Sequence, residues 1–143
     1  MSTIHCDVVS KKNTLFSGDL YNIMVPGIQG DLGILENHEP FMTPLRDGII
    51  WGRLHSATGK ILAAAIMGGY VQVLGSRVIV LCDKTRALEL INFEKARDDI
   101  KYYKDKLSKL SPDDFILNSY YTRKLRWSET QYHAKLNEDK FKI

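Results

Sequence analysis

A mixed fold, all-β in its first part and helical in its second, is what the sequence predicts. Three observations predict it. Before about residue 82 the apolar residues fall in short runs, several with a period of two, separated by Gly, Pro, Asn and Asp, which reads as many short strands. From Asn92 the period lengthens: Phe93, Ala96, Ile100, Tyr103, Leu107 and Leu110 are separated alternately by three and four positions, the stripe of one helix face. Ser111-Pro112-Asp113-Asp114 then reads as a helix restart after a short turn, which folds the two helices into an antiparallel hairpin. The strand spacing by itself suits a β-sandwich or a barrel. Residues 1–86 are assigned to the β part and 87–143 to the hairpin.

Along the β part, Ile4, Cys6 and Val8 alternate with His5 and Asp7 as in a half-buried strand. Asn13 makes a turn, Leu15-Phe16 opens a second strand, and Gly18-Asp19 interrupts it. Leu20 to Val25 is a third strand. Pro26-Gly27 reads as a tight turn, and Gly30 and Gly33 flank Asp31 at a loop tip. Ile34-Leu35 follows, and His38 lies in the next loop. Pro40 and Pro44 bracket Phe41 to Thr43 and keep that piece short or at an edge. Ile49, Trp51 and Arg53 alternate with Ile50, Gly52 and Leu54, and Ala57 to Lys60 turn the chain into Ile61 to Ile66. Gly68-Gly69 reads as a bulge or bend where another backbone passes closely. Val71 to Leu74 pairs with Val78 to Leu81 across Gly75-Ser76.

In the helical part, Asp98, Lys101, Asp105 and Lys109 sit at helical neighbour spacing on the face opposite the first stripe. Ser111 is read as the N-cap of the second helix, with Pro112 at its first position and two acids in the first turn. Leu117, Tyr121, Leu125, Tyr132 and Leu136 form the second stripe, with Ser128 as a polar gap and Asn137 as the stop. Ile116, Tyr120 and Trp127 widen that stripe, so the hairpin is expected to bury a second face, either on the β part or on a partner.

Several function classes are excluded. The net charge of +3 is too small to argue for nucleic acid, and no aromatic-basic stripe follows a strand. The longest apolar run, Ile61 to Ile66, is far short of the ~20 residues a membrane helix needs. Met1 to Ser10 lacks the charged start and apolar core of a signal peptide. Cys6 and Cys82 are isolated within strands and read as reduced, buried thiols, which points to a soluble cytosolic protein. His5, His38, His55 and His133 show no metal-ligand spacing. The three glycines at 27, 30 and 33 suggest a phosphate cradle, but no Lys-Ser or Lys-Thr and no helix follows them. No nucleophile, base or metal cluster supports a hydrolase.

One resemblance organises what remains. Gly30-Asp31-Leu32-Gly33-Ile34 resembles the Gly-Glu-Leu-Gly-Ile segment of the epsilon subunits of F-type ATP synthases. Asp7 to Ser10 with Leu15 to Gly18, Gly68 to Val73 and Val78 to Asp83 are similar to that family's opening and closing strands, in order and spacing. The resemblance covers nearly the whole chain. It implies a sandwich rather than a barrel, and a non-catalytic rotor subunit of a proton-translocating ATP synthase that couples the catalytic head to the membrane ring. It implies that Gly30, Asp31, Leu32, Gly33 and His38 face the c-ring and the gamma subunit. It also implies a hairpin that climbs gamma into the alpha/beta head and restrains hydrolysis, with Arg123, Lys124, Arg126 and Trp127 as its contacts. The location expected is peripheral, on the cytoplasmic face of the bacterial inner membrane or the stromal side of a thylakoid.

Two departures from the family stand out. Its usual Pro-Gly-His is Glu36-Asn37-His38 here, which loses the rigid turn. Its ATP motif, Ile/Leu-Asp-x-x-Arg-Ala, is Ile91-Asn92-Phe93-Glu94-Lys95-Ala96. Asn92 lacks a charged acceptor and Lys95 lacks the flat multi-donor guanidinium. Of Ile91, Asn92, Lys95 and Ala96, Asn92 also suits a helix N-cap. No cofactor is expected, and ATP binding as a regulatory ligand is expected to be weak or absent. The competing reading is a free-standing ATP-sensing module of the same fold, which demands tight ATP binding without partners.

Overall fold

The computed structural model describes residues 3–141; Met1 and Ser2, and with them the start of the segment read for a signal peptide, lie outside the described residues, as do residues 142 and 143. The strands are β1 (Ile4–Ser10), β2 (Thr14–Leu20), β3 (Asn22–Gly27), β4 (Gly30–Ile34), β5 (His38–Pro44), β6 (Gly48–Arg53), β7 (Ile61–Met67), β8 (Tyr70–Gly75), β9 (Arg77–Cys82) and β10 (Lys84–Ala87). Two helices follow, α1 (Phe93–Ser108) and α2 (Phe115–Leu136). The strands form two separate five-stranded sheets, ordered β2-β1-β9-β8-β5 and β10-β7-β6-β3-β4. The architecture is a sandwich, with the helices behind its second sheet.

Period-two patterning builds the core. Ile4, Cys6 and Val8 of β1 face inward with Val71, Val73, Val78 and Val80, and meet Ile23, Val25, Ile50, Ala64 and Ile66 of the opposite sheet. The β8–β9 hairpin pairs Val73 with Val78 and Leu74 with Arg77 across Gly75-Ser76. On the outer face of β1, Asp7 accepts hydrogen bonds from Ser17 Oγ (2.6 Å) and Arg77 Nη2 (3.1 Å). The Ser17 bond, helped by Arg77 and His5, holds the Asp7 carboxyl below its usual range against the opposing effect of burial.

The run Ile61 to Met67 lacks alternation because β7 is covered on both sides. Ala64 and Ile66 face the sandwich core. Ala65 and Met67 face outward into a second cluster with Leu88, Ile91, Trp127 and Ala134, and Ala63 packs against that cluster. A near-continuous apolar strand is what two-sided burial requires. Small side chains at 63 and 65 let α2 approach the sheet closely.

Several sequence expectations are corrected. Gly18-Asp19 does not interrupt β2: Gly18 pairs with Cys6 in the ladder, and a Cβ there would press on the Phe16 ring at 3.2 Å. The break falls instead at Tyr21, so Leu20 to Val25 is not one strand. Pro26-Gly27 is not the turn but the end of β3, and Gly30 to Gly33 belong to β4 rather than to a loop tip. Gly27 pairs with Gly30, and a Cβ on Gly27 would lie 2.6 Å from the Gly30 carbonyl oxygen; that glycine serves close approach. His38 opens β5 rather than lying in a loop. β5 is the edge of its sheet, and its register shifts between His38 and Phe41, where Pro40 lies, as proline demands.

The helices differ in detail too. α2 is capped by Asp114, whose side chain accepts from the Leu117 amide at 3.2 Å. Ser111 is not the cap; its Oγ accepts from the Asp113 amide (3.3 Å) one turn earlier. α1 ends at Ser108, so Leu110 lies beyond it. Its surface ion pairs are Lys95–Asp99 (2.6 Å) and Lys109–Asp105 (3.0 Å); among the described residues Asp98 meets Arg97 at 3.9 Å rather than Lys101. Ser128, the polar residue in the second stripe, is buried.

Candidate functional site

The first candidate surface is the β3–β4 hairpin and the strand beside it. A groove of about 490 Å³ is lined by Gly30, Asp31, Leu32 and His38, with Gly27 and Phe41 among its other walls. Four of the five residues singled out there therefore converge. Gly33 stands apart, facing Met24, whose Sδ would lie 2.9 Å from a Cβ at that position. Asp31 is ion-paired with Arg46, a partner that spacing did not suggest. The His38 ring donates from Nδ1 to the Glu39 carbonyl at 2.9 Å and sits 5.0 Å from the Phe41 ring. The corner before it keeps a left-handed residue without glycine: Asn37 has φ 62, a region that Asn tolerates.

The second set is the start of α1. Ile91 and Ala96 are buried. The Asn92 side chain accepts from the Lys95 amide at 3.0 Å and caps the helix. Lys95 Nζ meets Asp99 at 2.6 Å. The polar ends of both residues are thus engaged within the helix.

The third set lies on α2. Trp127 is 8% exposed, seated against β7. Arg126 donates from Nε to Asp47 Oδ2 (2.5 Å) and from Nη2 to Asp47 Oδ1 (2.6 Å). This bond raises the guanidinium's already high pKa, against the opposing effect of burial. Arg123 Nη1 lies 3.7 Å from Asp83, and Lys124 Nζ lies over the Tyr120 ring at 5.6 Å. Two of the three predicted cationic contacts therefore face acids of the sandwich. A cleft of about 640 Å³ runs between α2 and the β5–β6 connection, with Arg46, Asp47, Arg126, Glu129 and His133 in its walls.

The second face of the hairpin divides in two. Trp127 is buried on the sandwich, whereas Phe115 (75%), Ile116 (84%) and Tyr120 (51%) remain exposed near the hairpin's turn. Asp47, Asp83 and Arg46 were not read from sequence, because an acid or base in a short connection carries no local sign of its partner. The alanines of β7 did carry a signal, a small-residue stretch in an unalternated strand.

The thiols are held protonated by burial and, secondarily, by a neighbouring aspartate, Cys6 pushed up to about 12 and Cys82 to about 11. Among the described residues no group of three or more His, Cys, Asp or Glu could hold a metal ion. No helix among them is long and apolar enough to cross a membrane.

Comparison with known proteins agrees with this architecture. Residues 3–87 match the family model described as ATP synthase, Delta/Epsilon chain, beta-sandwich domain. The ATP synthase epsilon chain of Maricaulis maris is 35% identical over 109 residues, covering 71% of this chain and 80% of that one. That of Desulforamulus reducens is 34% identical over 95 residues, 66% and 70% of the two chains. A chain in the Euglena gracilis mitochondrial ATP synthase structure superposes with a TM-score of 0.74 at 21% identity, covering 94% of this chain and 82% of that chain, a likeness of fold. With residues 3–87, more than half of the chain, matched by the sandwich family and epsilon relatives at about a third identity, the chain belongs to the ATP synthase epsilon family, the central-stalk subunit of F-type complexes.

Proposed function

We propose that this chain is a non-catalytic rotor subunit of a proton-translocating ATP synthase, coupling the alpha/beta catalytic head to the membrane c-ring and restraining ATP hydrolysis through its hairpin. The sandwich, residues 1–86, is the docking unit: its groove at Gly30, Asp31, Leu32 and His38 meets the ring and the gamma subunit. The hairpin, residues 87–143, is the regulatory unit. The complex holds the chain at the cytoplasmic face of a bacterial inner membrane, or at the stromal side of a thylakoid.

The observation that supports the brake most directly is the split character of α2. Its Trp127 end is buried on the sandwich, while Phe115, Ile116 and Tyr120 stay uncovered. Large apolar side chains clustered at one tip are a surface for a protein partner. Arg123, Lys124 and Arg126 become free to meet acidic surfaces of the head once the hairpin lifts. The test is ATP hydrolysis by the assembled complex carrying this chain whole or cut after Leu88. Hydrolysis rises on truncation if the hairpin is a brake; an unchanged rate with assembly intact overturns that role.

The ATP-sensor reading makes a different demand. The capping role of Asn92 and the Lys95–Asp99 pair leave little polar capacity for a triphosphate. Calorimetry on the isolated chain is expected to show no submillimolar ATP binding; tight binding would favour the sensor.

A further inference from the structure

We propose that Asp47 is the clasp that sets how much of the hairpin lies docked, by gripping Arg126 at two atoms. The proposal rests on the mobile-hairpin part of the reading above and adds the element that controls it.

The seam between α2 and the sandwich is built to separate cleanly. Its buried polar side chains each donate within their own helix, and of the three Gln131 also accepts across the seam through its Oε1. Ser128 Oγ donates to the Lys124 carbonyl (2.9 Å), Thr130 Oγ1 to that of Arg126 (2.8 Å) and Gln131 Nε2 to that of Trp127 (3.4 Å). Lifting the helix breaks none of these bonds and leaves none of these donors orphaned. The apolar part of the seam places Trp127 and Ala134 against Ala65, Met67, Leu88 and Ile91, with alanine on both sides.

Among the described residues, polar contacts from α2 across the seam include Lys135 Nζ donating to the Leu88 carbonyl at 3.0 Å, but the Asp47 pair is the strongest by geometry. Arg123 reaches Asp83 only at 3.7 Å, and Arg86 Nη1 meets Gln131 Oε1, a neutral acceptor, at 3.0 Å. Arg126 instead makes two charge-assisted bonds of 2.5 and 2.6 Å, the fork geometry in which a guanidinium holds a carboxylate most firmly. Asp47 is itself aimed, because its Oδ1 accepts from the Gly68 amide at 2.8 Å. Gly68 serves twice. It has φ 61, and a Cβ there would lie 3.1 Å from Arg126 Nη2, so glycine both turns the chain and leaves room for the arginine.

A clasp made of one partly exposed ion pair is released by salt or by loss of either charge. Hydroxyl-radical footprinting of the whole chain reads this directly, since Met67 and Trp127 are shielded only while the hairpin is docked. Asp47→Asn keeps an acceptor for Gly68 but loses the charge; Arg126→Gln leaves Asp47 and Gly68 untouched. Each is expected to raise oxidation at Met67 and Trp127 by about fivefold, and Arg126→Lys by less. Salt at about 1 M raises it in the unmodified chain and has little further effect on Arg126→Gln. Cys6 and Cys82, both buried, stay unreactive to thiol reagents and report an intact sandwich.

Equal protection of Met67 and Trp127 in all variants overturns the clasp. Exposure of the two cysteines in Asp47→Asn and Arg126→Gln alike also overturns it, because a releasable clasp leaves the sandwich closed. Loss of protection in these variants upholds the clasp whatever the rate of hydrolysis, while the brake falls on an unchanged rate after the cut at Leu88, so the two proposals fail separately.

Discussion

Gly69→Ala is expected to remove about 3 kcal/mol of folding stability, a large share of the roughly 5–15 kcal/mol that a domain possesses. Gly69 has φ 109, and an added Cβ would lie 1.9 Å from the Leu81 carbonyl oxygen and 2.7 Å from Cys82 Cα. Both are backbone atoms and cannot swing away. The residue sits in the β7–β8 turn, where its own carbonyl accepts from the Leu45 amide at 2.8 Å and the Met67 carbonyl accepts from Asp83 at 3.1 Å. Relieving the clash therefore means displacing β9 where Tyr70 pairs with Leu81. Gly75→Ala is the matched control. Its φ is 66, but nothing lies within 4 Å of the added carbon, so it carries only the left-handed penalty of about 1–2 kcal/mol. Urea midpoints followed by far-ultraviolet circular dichroism separate the two; equal midpoints would refute the steric account.

That glycine pair also shows what was legible in the chain. Gly68-Gly69 reads from sequence as a bend with another backbone close by, because the flanking runs Ile61 to Ile66 and Val71 to Leu74 are both strand-like. The inward sets Ile4/Cys6/Val8 and Val71/Val73 follow from period two alone. The helical stripes follow from the change of period at Asn92. Gly27 and Gly30 were misread because a glycine is equally suited to a turn and to a close cross-strand approach, and local sequence does not tell them apart. β10 escaped because Lys84-Thr85-Arg86-Ala87 is an edge strand with little apolar alternation to display. The site was legible in unequal parts. Asp31 and His38 stand out through the resemblance, and the groove brings them together. Asp47 and Arg126 are 79 positions apart; neither has a local pattern that names the other, and only the folding of α2 onto the second sheet joins them.

Ala65→Leu is expected to act in the opposite direction to truncation and lower ATP hydrolysis by the assembled complex. Ala65 is fully buried in the cluster with Trp127 and Ala134. Overpacking a closed core costs about 1–3 kcal/mol because the surroundings cannot retreat. Here one wall can retreat. The sandwich core lies on the other side of β7, with Ala64 and Ile66, so added bulk at 65 presses on the outer cluster of Leu88, Ile91 and α2 rather than on that core. A penalty of about 2 kcal/mol falls on docking and shifts the docked-to-undocked ratio about thirtyfold, while the inner core keeps its packing. A freed hairpin carries Phe115, Ile116 and Tyr120, together with Arg123 and Arg126 released from Asp83 and Asp47, to the head that the proposed brake engages. The variant's lower rate should vanish when the same chain is also cut after Leu88, since the wedge then has nothing to release. A lower rate that survives the cut would trace the effect to the sandwich's own contacts, and an unchanged rate in a chain whose Met67 has become reactive would show that undocking alone does not engage the head.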